Sequence, residues 1–251
     1  MNLHIYYLHY NTKEFEHRSR DPRKHRPSWF SYDLCLANIL KTVSHRKFAG
    51  KVHFTLWHDG ELKPNSLSNN VLTAIATAEQ SGVLFKAVCG EFGSGAKSAF
   101  NLHYHLAGDT NIADDDLVYT LENDYLHQDG WLDKVDELVN SGISFDYISL
   151  YDHADNYLLN VHKNFKNQMF YTRSHLWRTC FSTCYSKLAR HRTLREDLAI
   201  LLKYDDFLAC ALFNLKNRIL MVSTPGLSTH AMTGLESPAV DWNRIAAQFE
   251  P

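Results

Sequence analysis

The nine residues LVYTLENDY at positions 117–125 constrain the fold more than any other part of the sequence. The first five have good strand character and are apolar on both faces, as expected for a strand in the middle of a helix-covered sheet. Glu122 and Asp124 follow directly, and alternate residues of a strand point to the same side if the extended geometry continues that far. Carboxylates at the carboxyl end of such a strand lie where open α/β sheets bind ligands.

Two interpretations of this pair of carboxylates stay open. Two hard oxygen ligands at one point would suit Mg²⁺ or Mn²⁺ carrying a phosphate group. Alternatively, Glu122 and Asp124 only end the strand and cap the next helix. The segment by itself does not decide between a metal–phosphate site and a structural turn.

The rest of the chain alternates between predicted strands and helices up to about residue 155. Strands are predicted at 3–10, 52–57, 83–89, 117–121 and 147–151, with helices at 29–43, 69–81, 96–106 and 132–139. This alternation favours an α/β fold with a mostly parallel sheet flanked by helices. Residues 156–192 allow no clear assignment, and further helices are predicted at 194–203 and 207–215, before a strand at 219–223. We therefore expect an irregular, α-rich carboxyl-terminal part.

Composition and charge argue against two classes of protein. The 26 Lys and Arg residues nearly balance the 28 Asp and Glu residues, which argues against a protein that mainly holds nucleic acid by its phosphates. No apolar run is long enough for an integral membrane segment, and the first residues lack a signal-peptide pattern. Five cysteines without paired CxxC spacing are typical of free thiols in a reducing compartment. These features predict a cytoplasmic protein.

The basic stretch Arg18–Arg26 leaves room for a peripheral contact. It could touch an acidic membrane surface, which would place the protein at the inner face of a membrane, or an anionic glycan. The alternative is a solvated surface loop.

Polar residues follow several of the predicted strands at their carboxyl ends. They are His9 and Asn11, then Asp59, and then the loop GEFGSG at 90–95. In a doubly wound sheet these ends lie along one edge, where Asp59 could bond to a ribose or a base. The glycine loop would let backbone N–H groups approach anionic oxygen. It lacks the Gly-Lys-Ser/Thr of a Walker loop, and turn geometry alone is an alternative reason for its glycines.

Three further residues are candidates for chemistry in the carboxyl-terminal part. Asp205 and Asp206 precede the apolar run 207–212, where an aspartate can cap a helix or act as an ionised base near the positive helix end. His230 follows the last predicted strand, although a lone histidine is more often a surface or core residue than a ligand.

These residues together resemble the GT-A fold of nucleotide-sugar glycosyltransferases, and most closely the inverting family-2 group. The Asp-x-Asp motif of that group corresponds to Glu122-Asn123-Asp124, its later acidic motif to residues 204–206, and its carboxyl-terminal metal histidine to His230. The segments RPSWFSY at 26–32 and PGLSTH at 225–230 are similar to a bacterial or viral branch of sugar transferases. Glu122 and Asp205 depart from the usual residues, which leaves metal dependence and the base open.

The resemblance implies one catalytic domain over residues 1–251, with a nucleotide-binding half at 1–125 and an acceptor-binding half at 126–251. It implies a nucleoside diphosphate sugar donor, a glycan or other hydroxyl acceptor, and inversion at the anomeric carbon. A divalent ion would bind Asp124, Glu122 and His230, and Asp206, or else Asp205, would be the base. The implied nucleotide-sugar-binding residues are Tyr7, His9, Asn11, Asp59, Gly93, Ser94, Gly95, Glu122 and Asn123.

Two alternative functions stay open. A sugar-phosphate nucleotidyltransferase would use a related sheet and metal carboxylates, but it should carry a glycine-rich basic signature just after the first strand. The loop here begins with Asn-Thr-Lys and has no glycine. A non-catalytic carbohydrate-binding module would need no nucleotide at all, and its binding should survive loss of the Asp124 carboxylate.

Overall fold

A computed structural model describes residues 1–10, 25–63, 65–93, 95–159, 162, 164–203 and 206–249, with the backbone alone at 206–208 and 213. The strands are β1 (Leu3–Tyr10), β2 (Val52–Asp59), β3 (Val83–Gly90), β4 (Leu117–Leu121), β5 (Tyr125–His127), β6 (Tyr147–Ser149), β7 (Met169–Tyr171), β8 (Leu176–Thr179), β9 (Lys187–Arg190), β10 (Leu220–Thr224) and β11 (Ser228–His230). The helices are α1 (Tyr32–Ser44), α2 (Asn69–Gln80), α3 (Ala96–Gly108), α4 (Trp131–Asn140), α5 (Asp155–Leu158), α6 (His191–Glu196), α7 (Leu198–Leu201), α8 (Asp206–Leu215) and α9 (Trp242–Ala247).

A sheet of nine strands runs through both halves of the chain in the order β3-β2-β1-β4-β9-β6-β10-β8-β7. Strands β3, β2, β1 and β4 pair in parallel, in the order that begins a doubly wound α/β sheet. Strand β9 pairs antiparallel with both β4 and β6, and β8 pairs antiparallel with β10 and β7. Strand β10 pairs in parallel with β6, so the strands of this sheet other than β9 and β8 run in one direction. The predicted α/β class with a mostly parallel sheet is therefore confirmed.

The sheet is covered on both faces, which explains the apolar character of its central strands. In β1, Leu3, Ile5 and Tyr7 belong to one core cluster, which also contains residues of α1, α2 and α4. Tyr6 and Leu8 belong to a second cluster, with residues of α3 and α8. Alternate residues of a strand point to opposite faces, so a strand buried on both faces needs apolar residues throughout.

The carboxyl-terminal half is mixed rather than mainly helical, because strands β6 to β10 join the same sheet. The irregular region 156–192 contains the short strands β7, β8 and β9. The single helix predicted at 194–203 is divided at Asp197, whose buried carboxylate accepts bonds from the Tyr147 hydroxyl at 2.8 Å and Arg218 Nε at 3.0 Å. Within the described residues, no helix is both long and apolar enough to cross a bilayer.

Candidate functional site

The chain turns directly after β4, and this turn separates the side chains of Glu122 and Asp124, which are two positions apart in the sequence. Strand β4 ends at Leu121, and β5 begins at Tyr125 after turn residues at 123 and 124. The extended geometry on which a shared direction of Glu122 and Asp124 depends therefore ends at Leu121. Each carboxylate has its own surroundings, built by different parts of the chain.

Asp124 lies in a cluster with a histidine and an arginine. Strand β11 pairs antiparallel with β5 and places His230 opposite Tyr125, so His230 Nε2 comes within 2.9 Å of Asp124 Oδ2. Arg26 Nη1 is also 2.9 Å from Asp124 Oδ2, and it donates to the Ala231 carbonyl oxygen at 2.7 Å. Asp124 is 8% exposed, whereas the side chain of Arg26 is 28% exposed, so the carboxylate is buried and the guanidinium reaches solvent.

The charges of the cluster stabilise one another against the cost of burial. Burial alone would raise the pKa of Asp124, but His230 and Arg26 outweigh it and lower that pKa. Burial would lower the pKa of His230, but the charge of Asp124 and its hydrogen bond raise it instead. The pair therefore favours a protonated His230 beside an ionised Asp124.

Glu122 belongs to a different environment, on the side of β9. Antiparallel pairing places Lys187 opposite Thr120, which brings the preceding Ser186 next to the end of β4. The backbone N–H of Glu122 donates to Ser186 Oγ at 3.0 Å, and Ser186 Oγ is 3.4 Å from Glu122 Oε2. Glu122 thus contacts a strand whose position the sequence pattern did not predict.

These residues do not fit a divalent ion as they are arranged. No group of three or more His, Cys, Asp and Glu side chains able to hold a metal occurs within the described ranges. One feature would suit a cation, because Asp124 Oδ1 is buried with no hydrogen-bond partner among the described residues. The other oxygen, however, already receives a guanidinium and an imidazole, and a metal beside Arg26 would be repelled by its charge.

Asn123 is held between two tyrosines of β1. The buried Tyr7 hydroxyl donates to the Asn123 carbonyl oxygen at 3.0 Å, and the Tyr10 hydroxyl donates to Asn123 Oδ1 at 3.3 Å. Tyr7 was expected to contact the nucleoside, but its side chain is fully buried and positions the turn after β4. The buried Asn123 Nδ2 has no hydrogen-bond partner in the described part of the chain.

His9 is also a buried residue that supports its neighbour. Its Nδ1 lies 2.8 Å from Nδ1 of His58, so one ring must donate and the other accept. Burial, with a smaller contribution from His58, lowers the pKa of His9 to about 4. His9 is therefore a neutral partner of His58 at the end of the sheet.

Asp59 fixes the glycine loop that the sequence singles out. Its Oδ1 accepts the backbone N–H of Gly93 at 2.6 Å. Gly93 has a φ of +74°, and a Cβ there would lie 2.6 Å from Lys97 Cδ, so a larger residue would be strained. Gly95 then serves as the N-cap of α3 with a φ of +55°. The loop is thus shaped to present the amino end of α3.

A cavity of about 520 Å³ lies between the end of β4, the amino end of α3 and the region of α7 and α8. Glu122 lines it together with Gly95 and Ala96 of the α3 end, and with Lys203 and Ala209, which lie on either side of the start of α8. His103 also lines it, and burial, followed by the charge of Lys187, lowers the pKa of His103 to about 3. The cavity brings polar groups from three separate elements together.

A second cavity of about 510 Å³ lies beyond β6 and is largely apolar, with Tyr157, Leu176 and Pro225 among its lining residues. The buried ion pair of Arg178 and Asp152 borders it, with Nη2 and Oδ1 2.7 Å apart. The Tyr157 hydroxyl donates to Asp152 Oδ2 at 2.7 Å. Tyr157 and Leu176 of the irregular region therefore line a cavity, beside the carboxylate of Asp152.

Several predicted residues lie wholly or partly outside the described residues. Asn11, Ser94 and Asp205 are outside them, as is the part of the basic stretch before His25. Asp206 is the first residue of α8, and its backbone alone is described. The catalytic assignments of Asp205 and Asp206 therefore stay predictions.

The residues that the sequence did not single out are mostly partners from distant strands. Lys187 of β9 and His103 of α3 line the cavity, and Ser186, just before β9, contacts Glu122. Arg26 was noted as part of a basic run and of the segment RPSWFSY, but not as a partner of Asp124. Its position before Pro27, in a segment already compared with the sugar transferases, was the available signal.

No family model matches the chain, and no curated protein matches it. Among solved structures, a 4-diphosphocytidyl-2C-methyl-D-erythritol synthase is 11% identical and covers 100% of this chain and 99% of its own, with a TM-score of 0.46. The galactosyltransferase LgtC, solved with donor and acceptor sugar analogs, is 14% identical and covers 84% and 70%, with a TM-score of 0.39. The 2-C-methyl-D-erythritol 4-phosphate cytidylyltransferase of Francisella tularensis is 11% identical and covers 99% and 98%, with a TM-score of 0.44. Likenesses this distant do not indicate a reaction.

Proposed function

We propose that the protein transfers a sugar from a nucleoside diphosphate sugar to a hydroxyl group of an acceptor such as a glycan. The cavity of about 520 Å³ supports this proposal most directly, because Glu122, the amino end of α3 and the flanks of the α8 start all line it. Such a combination offers hydrogen-bond acceptors for sugar hydroxyls, N–H groups for anionic oxygen, and a place for a base at a helix start.

In this proposal each part of the cavity has a separate task. The amino end of α3 faces anionic oxygen of the donor, since unpaired N–H groups and the helix dipole favour negative charge there. Glu122 accepts hydrogen bonds from hydroxyl groups of the donor sugar. Asp206 begins α8, where the helix dipole favours an ionised carboxylate.

The reaction is a single displacement at the anomeric carbon. The acceptor oxygen forms a bond to that carbon while the bond to the diphosphate oxygen breaks, and the nucleoside diphosphate leaves. Asp206 takes the proton of the acceptor hydroxyl as the new bond forms. Attack from the face opposite the leaving group inverts the anomeric centre.

The second cavity is the proposed acceptor side. Its apolar lining and the Tyr157 ring suit the less polar face of a sugar, and Arg178 lies 5.1 Å from the centre of that ring. The buried pair of Arg178 and Asp152 holds Tyr157 in place through its hydroxyl. This assignment puts the acceptor in the half at 126–251, where the resemblance implies that it binds.

The experiment is to incubate the protein with UDP-, GDP- and dTDP-sugars and to measure the products released to water, which serves as a slow acceptor. Release of a nucleoside diphosphate together with free sugar is the expected result. Asp206→Asn should lower that rate by about a hundredfold or more, as loss of a general base does. Asp129→Asn, at a half-exposed carboxylate paired with His45, is the matched control and should keep the wild-type rate.

The alternatives give different results in the same assay. Incubation with a sugar phosphate and nucleoside triphosphates, and release of pyrophosphate, would indicate the nucleotidyltransferase. Absence of turnover together with absence of nucleotide binding would contradict both enzyme proposals and favour a carbohydrate-binding module. Full activity in Asp206→Asn would remove Asp206 from the mechanism.

A further inference from the structure

Arg26 contacts the carboxylate to which the sequence assigns a divalent ion. Its Nη1 lies 2.9 Å from Asp124 Oδ2 and donates to the Ala231 carbonyl oxygen at 2.7 Å. A guanidinium therefore already supplies a positive charge at the end of the central strands. The residue that Arg26 contacts, Asp124, is the second acid of the motif Glu122-Asn123-Asp124.

The segment around Arg26 is fixed to the end of β11 by several contacts. The guanidinium carbon lies 4.6 Å from the centre of the Phe30 ring. The Thr233 N–H donates to the His25 carbonyl oxygen at 2.9 Å, and the Phe30 N–H donates to the Pro27 carbonyl oxygen at 3.0 Å. Backbone and ring contacts thus hold Arg26 in one position before any ligand arrives.

Arg26 keeps the capacity to bind a second anion. Its side chain is 28% exposed, and a guanidinium carries more N–H donors than its bonds to Asp124, Ala231 and Tyr32 use. Arginine stays charged at all relevant pH values, and its planar fork matches the oxygens of a phosphate group. A divalent ion gains little at Asp124, since the charge of that carboxylate is already balanced by Arg26.

We propose that Arg26, positioned by Asp124, binds the diphosphate of the donor together with the N–H groups at the amino end of α3, so that binding of a nucleoside diphosphate needs no divalent ion. This inference rests on the proposed function. Asp124 is then a positioning residue rather than a metal ligand. Arg26 stabilises the negative charge that develops on the leaving diphosphate, through charge-assisted hydrogen bonds.

The test is thermal unfolding with UDP, GDP, CDP and dTDP, each in EDTA and in Mn²⁺, because a bound ligand raises the melting temperature. We expect one nucleotide to raise the melting temperature of the wild-type protein equally in EDTA and in Mn²⁺. Titration in EDTA should then show about a ten- to hundredfold weaker Kd in Arg26→Ala, the loss expected for charge-assisted hydrogen bonds.

Two further variants separate this role from a purely structural one. Arg26→Lys keeps the charge without the planar fork and should bind with intermediate affinity in EDTA. Arg192→Ala removes an exposed arginine that pairs with Asp115 at 3.2 Å and should bind as the wild type does. Arg26→Ala should also become dependent on Mn²⁺, since removing the guanidinium uncovers the Asp124 carboxylate.

Each contrary result has a distinct meaning. A wild-type shift that appears only with Mn²⁺ would overturn the role of Arg26 and leave the proposed transferase standing. Unchanged affinity of Arg26→Ala in EDTA would overturn it as well. No shift of the wild-type protein with any nucleotide would overturn both proposals. If Arg26→Ala does not fold, the affinity of Arg26→Lys in EDTA tests the guanidinium, and wild-type affinity in that variant would overturn its role.

Discussion

Glu122 and Asp124 are two positions apart in the chain, yet they lie in opposite kinds of surroundings. Asp124 is 8% exposed and contacts Arg26 and His230, so its charge is balanced inside the protein. Glu122 is less buried, contacts Ser186 and lines a cavity of about 520 Å³. The Asp124 carboxylate is buried in a cluster of charged side chains, whereas Glu122 faces an open cavity.

The difference comes from where the chain turns and from which strands arrive later. The turn at 123 and 124 ends the alternation of β4, so the i, i+2 spacing no longer places both side chains on one side. Ser186 arrives from 64 positions away and His230 from 106 positions away. The two carboxylates of a short local motif therefore acquire different surroundings through long-range strand pairing.

The largest expected effect on stability is at Asp124. Asp124→Ala leaves Arg26 and His230 without the carboxylate that balances them, and should lower the free energy of unfolding by about 3 kcal/mol. Urea denaturation measures this loss. Asp115→Ala breaks an exposed ion pair with Arg192 and should cost less than about 0.5 kcal/mol. Equal losses in the two variants would contradict a special role of the Asp124 cluster.

Two histidines on paired strands, His127 of β5 and His230 of β11, have pKa values that are shifted in opposite directions. Asp124 raises the pKa of His230, whereas burial lowers the pKa of His127 to about 3. The folded protein keeps His127 neutral while the unfolded chain takes up a proton below about pH 6.5, so His127 makes stability fall with decreasing pH. His127 should contribute about 1.4 kcal/mol per pH unit to the slope of the free energy of unfolding against pH, between about pH 6 and pH 4.

Urea denaturation of the wild type and His127→Gln across this range isolates the histidine. Glutamine does not titrate and retains an amide that can bond the Tyr119 hydroxyl, which is 2.8 Å from His127 Nε2. The slope of the free energy of unfolding against pH should be smaller in the variant, by the amount that corresponds to about one proton. An identical slope would show that His127 does not titrate differently in the folded and unfolded states.

A smaller effect is expected at Tyr7, which positions the turn between the two carboxylates. Tyr7→Phe removes the hydroxyl that donates to the Asn123 carbonyl oxygen at 3.0 Å. The loss should be about 1 kcal/mol in the free energy of unfolding, the usual value for one buried hydrogen bond. Tyr10→Phe serves as a comparison, since that hydroxyl donates to the Asn123 side chain instead. No change in Tyr7→Phe would show that the turn holds its shape without this bond.

The smallest effect on stability is expected at Glu122. Glu122→Gln keeps the size of the side chain and the backbone bond to Ser186, so the free energy of unfolding should change by less than about 0.5 kcal/mol. Turnover of the donor should nevertheless fall, because the variant changes the polar group in the cavity. A stable variant with unchanged turnover would remove Glu122 from the reaction.

The amino-terminal fold follows from the sequence because local patterns determine it. Strands β1 to β4 and helices α1 to α3 have regular spacing, and the loop at 90–95 ends at the N-cap of α3 as its glycines indicate. Strand β9 could not be placed between β4 and β6, because antiparallel insertion depends on contacts about 70 positions apart. The break at Asp197 was missed for the same reason, since its partners Tyr147 and Arg218 are distant in sequence.

For the candidate site, the sequence predicted which strand ends lie near one another better than it predicted the contacts of their polar groups. The ends of β1, β2 and β4 do meet at one edge, and His230 does contact Asp124. The sequence could not show that Tyr7 and His9 are buried supports, because a polar group at a strand end can face either the core or solvent. It also could not show that Arg26 would contact Asp124, because the two residues are far apart in the sequence.

The most direct test of the different roles of Asp124 and Glu122 is to measure binding and turnover separately in Arg26→Ala and Glu122→Gln. Calorimetric titration gives the Kd of the nucleoside diphosphate in EDTA, and product release gives the turnover of its sugar derivative. Arg26→Ala should weaken nucleoside diphosphate binding about tenfold or more, while Glu122→Gln should bind it like the wild type and turn over the donor more slowly. Equal weakening of nucleoside diphosphate binding in both variants would contradict the separation, because the two carboxylates would then serve one diphosphate site.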